Sequence, residues 1–461
     1  MADERLTWWQ HPVTGERVTL ELRGEQTRLT RGGRVEIQGP PVWDEAAERR
    51  RYAEGQADET LPLHLLHWAD RFAARHGEAQ ARAKVLETGL SAAQWDGLRN
   101  LRPSPGGGGL PPEFHGRLAI DEGSPEAALL DIPAPLRLPL AKMMAADLHF
   151  APPGADTVFG QHMQELRAGG FVRLTARRPD GALWLPAALE PHRPALEASG
   201  RPLLRLAADP ARAPQPWESR VGGGPYRPRG APWPLSRGEE GEVPRPLVFL
   251  AQLNLAEVNP GGAAVPDLPA QGLLQFFILN GDLYGAEFGE GWAAQDRFRV
   301  LYFPEVTREA GALEPEGVLP TPDPGEGDPE DGLPLWGTEV GPLRRAVALA
   351  AVPDREPVSG ADDHASALLG TDIWEDVEED EPLAAALYDL APGGHKLGGY
   401  PDFTQSDPRA PGDDWALLLQ LDSDEALGLM WGDVGTANFF IHPADLRARD
   451  FSRVAYHWDC G

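Results

Sequence analysis

Cysteine is all but absent. Cys460 is the only one in 461 residues, which excludes an internal disulfide or a cysteine-rich zinc cage and fits a reducing compartment. Lysine is nearly as scarce, at Lys84, Lys142 and Lys396, so arginine carries the positive charge; a G+C-rich coding bias accounts for this without any need for guanidinium. No stretch approaches the roughly 18 apolar residues of a membrane-spanning helix. The opening MADERLTWWQ lacks the basic and apolar regions of a secretory signal, so a cytoplasmic location is the expectation. Basic residues are also few relative to acidic ones: 42 Lys and Arg against 71 Asp and Glu leave a net charge of −29. That field repels nucleic acid and anionic membrane, and leaves only a local basic patch to contact either.

What is plentiful is glycine and proline, 52 and 47 residues, which implies turns and short strands rather than long helices. A hydrophobic content of 41% suffices for buried cores, and the length allows two to four domains. Residues 1–60 read as a small module. Arg17–Leu22, Gln26–Thr30 and Arg34–Ile37 alternate as three strands of a meander, with turns at Gly24-Glu25 and Gly32-Gly33, and Asp44 caps a following helix. This arrangement resembles the WGR module, with Gly32 standing where that family has its signature tryptophan. The resemblance implies DNA or partner contact through Arg28, Arg31 and Arg34; otherwise these arginines only solvate a small sheet. Residues 61–200 read as a mainly helical middle region ending in a hairpin around Pro179-Asp180-Gly181. Within it, Leu110–Phe114 with Leu118 and Gly123 is faintly similar to the entry motif of the SUKH superfamily, which includes immunity proteins against bacterial toxins.

The region 201–461 repeats itself. Arg220-Val221-Gly222-Gly223 recurs as Lys396-Leu397-Gly398-Gly399, and Phe249–Asn254 as Leu417–Asp422. Gln275–Ile278 recurs as Asn438–Ile441, and Phe298–Tyr302 as Ser452–Tyr456. Four motifs in one order twice predict a repeat over about 217–303 and a second over about 391–458, packed around a pseudo-twofold axis. Each copy reads as a glycine turn followed by apolar strands, and Gln252 and Gln420 are the polar residues that interrupt them. A buried carboxamide must be hydrogen-bonded, either to brace a loop of its own repeat or to hold a ligand. The insertion between the copies, about 304–390, is acidic. Residues 309–343 hold nine Asp and Glu and no Lys or Arg, and Trp374–Glu381 reads WEDVEEDE.

The motifs WESRVGGGPYRPRGAPWP from Trp217, PLVFLAQLNLAEV from Pro246, LPAQGLLQFFI from Leu268, HKLGGYPDFTQSDPR from His395 and WGDVGTANFFIHPADLRARDFSRVAYHWDC from Trp431 resemble the YwqG-like family of bacterial proteins of unknown function. The resemblance implies a mixed α+β domain dominated by antiparallel β-sheet and implies no activity. The expected fold class is therefore α+β, an internally duplicated YwqG-like domain preceded by a β-meander with a helix and a helical region.

For chemistry, a nucleophilic enzyme would need a Cys or Ser beside a base, and the neighbours of Cys460, His457 and Asp459, are spaced along one strand rather than gathered around it. Metal ligation would draw on His395, Asp402, Asp433 and His442, none in a close ligand pair, and no metal or cofactor is expected. The sharper expectation is a ligand cleft between the repeats. The turns Gly222-Gly223 and Gly398-Gly399 offer backbone N–H groups beside the cations Arg220 and Lys396, and Gln252, Gln420, His395, Asp402 and Asp433 complete the candidate lining. A small polar ligand, a peptide strand or a protein partner fits such a cleft, with nucleic acid confined to the N-terminal module and no membrane. The leading expectation is a non-enzymatic binding or interaction protein, with toxin immunity or regulation as its concrete version; the competing one is a hydrolase-like enzyme using the His and Asp residues of the second repeat.

Overall fold

Alternation of apolar residues at period two over short, turn-bounded segments builds the two sheets of this chain, and helices make up a similar share of it. The computed structural model describes residues 4–24, 26–39, 45–57, 61–100, 132–147, 155–237, 244–281, 283–287, 289–315, 345–362, 365, 381–410, 412–424 and 426–461. The SUKH-like segment and most of the acidic insert, including nearly all of WEDVEEDE, lie outside them. The chain divides into two compact units, residues 41–154 and residues 1–40 with 155–461. Among the described residues, no helix is long and apolar enough to cross a membrane.

The unit 41–154 is helical. α1 (Glu45–Gly55), α2 (Leu61–His76), α3 (Glu78–Leu86), α4 (Ala92–Asn100) and α5 (Ala134–Ala146) enclose a core built on Leu65, Trp68, Trp95 and Leu140. Asp147 ties this core to its surroundings by accepting hydrogen bonds from Trp68 Nε1 at 3.1 Å and Lys84 Nζ at 2.5 Å.

In the other unit, β1 (Glu4–Gln10), β2 (Arg17–Arg23), β3 (Gln26–Arg31), β4 (Arg34–Gly39) and β5 (Val172–Leu174) form a five-stranded sheet in the order β4-β3-β2-β1-β5. The expected three-strand meander is β2, β3 and β4; Trp8 and Trp9 add a fourth strand and the later hairpin a fifth. The helix packed on this sheet is α6 (Ala155–Ala168), through Phe159 and Leu166 against Trp9, Leu20 and Leu22. The helix that follows Asp44 is α1, and it belongs to the other unit.

A second sheet of ten antiparallel strands curls into a nearly closed barrel. It is made of β6 (Arg201–Asp209), β7 (Arg220–Val221), β8 (Val248–Asn254), β9 (Leu273–Ile278), β10 (Phe298–Phe303), β11 (Val347–Glu356), β12 (His395–Gly398), β13 (Ala416–Asp422), β14 (Thr436–Ile441) and β15 (Ala455–Asp459). Their order is β10-β9-β8-β7-β11-β6-β12-β13-β14-β15. β6 and β11 pair along nine residues at the centre, from Arg201↔Glu356 to Asp209↔Ala348. Outward from them, each strand bearing a sequence motif has the strand bearing its counterpart at the same distance on the other side. The terminal strands β10 and β15 approach through rings rather than ladder bonds, Phe298 lying 5.3 Å from Tyr456, and the next strands inward, β9 and β14, bring Phe276 to 4.9 Å from Phe439. These rings sit in one apolar core drawn from both sides of the barrel.

Candidate functional site

Strict alternation would place Gln252 on the same side as Val248 and Leu250, inside the barrel. A β-bulge prevents it. The β8–β9 register shifts between Phe249 and Ala251, so Leu250 and Ala251 both turn to the core and Gln252 faces outward. The β13–β14 register shifts between Leu417 and Leu419, and Gln420 turns outward in the same way.

On the outer face these residues form two polar rows. Arg220, Gln252 and Gln275 are register partners across β7, β8 and β9. Lys396, Gln420 and Asn438 are register partners across β12, β13 and β14. Gln252 Oε1 accepts the Tyr226 N–H at 2.7 Å and its Nε2 donates to Pro216 O and Glu218 O, both at 2.8 Å, while Gln275 donates to Tyr226 O at 2.6 Å. Gln420 Oε1 accepts the Asp402 N–H at 2.9 Å and its Nε2 donates to Gly394 O at 2.9 Å, while Asn438 donates to Asp402 O at 2.9 Å. In both rows a carboxamide pair clasps the backbone four residues after the first glycine of the turn, holding a strap of chain across the outside of the sheet. The glycines make this course possible: Gly222, Gly223, Gly398 and Gly399 all have φ between 66° and 78°, and a Cβ on Gly399 would collide with Glu356 Oε1.

The cations differ. Arg220 donates to Gln215 O at 2.5 Å. Lys396 lies 3.3 Å from Glu356 Oε1 and 3.1 Å from Asp402 Oδ2. Glu356 also receives Arg205 Nη2 at 2.7 Å and the Tyr400 N–H at 2.8 Å, and Arg205 Nε bonds Asp354 at 2.8 Å. Arg205, Lys396 and Glu356 are each no more than 2% exposed. Burial pushes the Asp354 carboxyl up, but Arg205 and the Thr175 N–H more than offset this and hold it below the ordinary value. The structure thus brings Gly399, Lys396, Asp402 and Gln420 into one buried network and Gly222, Gly223, Arg220 and Gln252 into a separate one, with β6 and β11 between them.

The other candidates disperse. His395 sits one residue before Lys396 and so on the opposite face, where Nδ1 accepts the Asp422 N–H at 3.0 Å and Nε2 pairs with Asp424 at 2.9 Å. Asp433 lies exposed in the tight turn Trp431–Gly435, where its carbonyl accepts the Gly461 N–H. His442 pairs with Asp414 and lies 3.7 Å from the Trp415 ring, and Cys460 packs against Gly432. Among the described residues, no group of three or more His, Cys, Asp and Glu is arranged to hold a metal ion. On the N-terminal sheet, Arg28 and Arg34 are exposed, while Arg31 is engaged by Glu16 at 3.3 Å and Glu36 at 3.1 Å.

A cavity that the motifs did not mark lies where β1 and β5 meet the hairpin strand and the segment 386–392. It has a volume of about 80 Å³, enough for several waters or a small head group. Its walls are largely apolar, with Phe159, Met163, Leu174 and Leu183, and Arg5 and Arg173 contribute its cations. Arg173 donates to Asp389 O at 2.8 Å. Burial lowers its pKa to about 10; Asp389 opposes this, and Arg167, Arg205 and Arg5 press in the same direction. The network reaches the same cavity through Thr175, which donates N–H and Oγ1 to Asp354 at 3.0 and 3.1 Å. Arginines inside apolar strands, in Val172-Arg173-Leu174 and Leu204-Arg205-Leu206, were the available sequence signal.

Residues 219–460, just over half of the chain, match the family described as a domain of unknown function, DUF1963. The chain belongs to the DUF1963 family. No curated protein matches it. The DUF1963 region begins beside Arg220 and ends at Cys460, so it contains both glutamine clasps, whereas Arg5 and Arg173 precede it.

Proposed function

We propose that this DUF1963 protein is an internally duplicated, YwqG-like, non-enzymatic binding protein of the cytoplasm, and that its ligand is a small amphipathic anion, a carboxylate with an apolar body, held in the Arg5–Arg173 cavity. The observation that carries the reading is Arg173, a partly buried guanidinium that lines a mostly apolar cavity beside Arg5, with Asp389 as the acidic residue of the lining. Such a cation gains from an anion that restores its lost hydration, and the apolar walls take the rest of the molecule. The palindromic strand order and the matched bulges before Gln252 and Gln420 support duplication, since bulges are features that families keep. The separate engagement of His395, Asp402 and Asp433 favours binding over hydrolysis.

Thermal unfolding with decanoate, phenylacetate and their uncharged amides tests this. The carboxylates raise the melting temperature and the amides do not; Arg173→Met weakens carboxylate binding about tenfold to a hundredfold, the worth of a charge-assisted hydrogen bond. The ligand-free variant melts no lower than the wild type, because the substitution removes a poorly compensated cation. A carboxylate response that survives Arg173→Met, or no response in the wild type, defeats the proposal.

A further inference from the structure

The barrel has a seam, and the seam carries its own cationic groove. β10 and β15 are the two ends of the sheet order, and the chain just before β15 packs on β10 with Phe451 5.0 Å from the Tyr302 ring. Gln295 bridges them: its Nε2 donates to Phe451 O and its Oε1 accepts the Val300 N–H, both at 2.8 Å. Gln295 has φ 55° and is 3% exposed, a left-handed conformation held in place by both bonds. Beside this clasp lies a groove of about 360 Å³ lined by Arg237, Arg299, Tyr302, Arg449 and Ser452.

Three separate segments deliver the three guanidinium groups. Arg299 Nη2 donates to Gln295 O at 2.9 Å, and its Nε and Nη2 reach Phe298 O and Leu235 O at 3.4 Å. Nη1 has no hydrogen bond among the described residues. Burial lowers the Arg299 pKa, and Arg237 lowers it further against the opposing Asp296. Arg449 follows α7 (Pro443–Ala448) with φ 59° and is exposed; its backbone N–H closes the helix on Leu446 O at 3.0 Å, and its side chain forms no hydrogen bond or ion pair among the described residues. Two carboxylates stand nearby: Asp296, 3.9 Å from Arg237, and Asp450, which accepts from Ser452 N and Oγ at 3.0 and 2.6 Å. Neither pairs with Arg299 or Arg449 among the described residues.

We propose that the seam groove binds a phosphoryl dianion, as free phosphate or as a small phosphate monoester. Three guanidiniums approaching from different segments suit a tetrahedral oxyanion with several acceptor oxygens better than a planar carboxylate, which a single arginine fork satisfies. This site is independent of the carboxylate cavity.

Differential scanning fluorimetry with inorganic phosphate, phosphoserine and chloride at matched ionic strength, with phosphate affinity from ³¹P line broadening, provides the test. Phosphate raises the melting temperature and chloride does not. A phosphoserine response at lower concentration than phosphate identifies a monoester site; the reverse order identifies a free-phosphate site. Arg299→Gln weakens phosphate binding at least tenfold, and the exposed Arg449→Gln, which disturbs no described bond, weakens it severalfold. Phosphate and decanoate responses add at saturation. Equal responses to chloride and phosphate, an undiminished affinity in both variants, or loss of the phosphate response under saturating decanoate would overturn the assignment.

Discussion

The two polar rows on the outside of the barrel are built alike up to one position and differently beyond it. Each has a bulged strand, an outward glutamine, a second carboxamide on the next strand and a double-glycine turn leading into a strap. In the first row the cation is an arginine that reaches a backbone carbonyl of the segment leading into its strand, Gln215 O. In the second it is a lysine set between Glu356 and Asp402, with Arg205 and Asp354 extending the charges toward the N-terminal sheet. The shared part fastens a strap on each side of the sheet. The divergent part couples the second half of the barrel to Thr175, beside the Arg173 cavity.

That difference can be broken where it is largest. Glu356→Gln removes the charge that compensates two buried cations, Arg205 and Lys396, and should cost about 3–5 kcal/mol, as expected when one partner of a buried ion cluster is lost. Urea unfolding measures it, and a cost below about 1 kcal/mol would mean that Asp354 and Asp402 already neutralise both cations. The shared part should respond equally on the two sides. Gln252→Leu and Gln420→Leu each strand the N–H of a strap, at Tyr226 and Asp402, together with the carbonyls they serve, and each should cost about 1–3 kcal/mol. Denaturant midpoints that differ strongly between these two variants would show that the clasps are not equivalent.

Much of this was legible in the chain, and the gaps have physical causes. The motif order around Gln252 and Gln420 marks strands that the sheet places at matching distances from its centre, and a lone carboxamide in an apolar run announces a bonded one. Its direction was not legible, because the bulges at Leu250 and Leu418 reverse the side on which alternation places the glutamines. Lys396 and Asp402 were recognised as polar candidates, yet Glu356 was absorbed into a run of acidic sequence. Its role comes from pairing with β6, about 150 residues away in the chain. Arg5 and Arg173 meet for a similar reason: β5 joins β1 although the residues of the helical unit separate them in sequence. His395 and Lys396 looked like neighbours in one cleft, whereas adjacent strand residues face opposite sides.

The smallest effect is the most discriminating between the rows. In the second row and its surroundings, Asp354 is held below its ordinary value of 3.8 by Arg205 against the opposing effect of burial, and Asp424 is held below the same value by His395, again against burial. A carboxyl depressed in the folded state binds its proton more readily when unfolded. It therefore contributes its full stabilisation above pH 3.8 and loses it as the pH falls through the folded value. The first row holds its strap by the neutral carboxamides of Gln252 and Gln275, which do not titrate in that range. Native-state hydrogen exchange at pH 3.5 and at pH 7, corrected for intrinsic rates, should thus show the amides of β12 and β13 losing protection relative to those of β7 and β8. Uniform loss across both rows would place the acid sensitivity in the barrel as a whole, and the carboxylates around Lys396 would then be as passive as the carbonyl that serves Arg220.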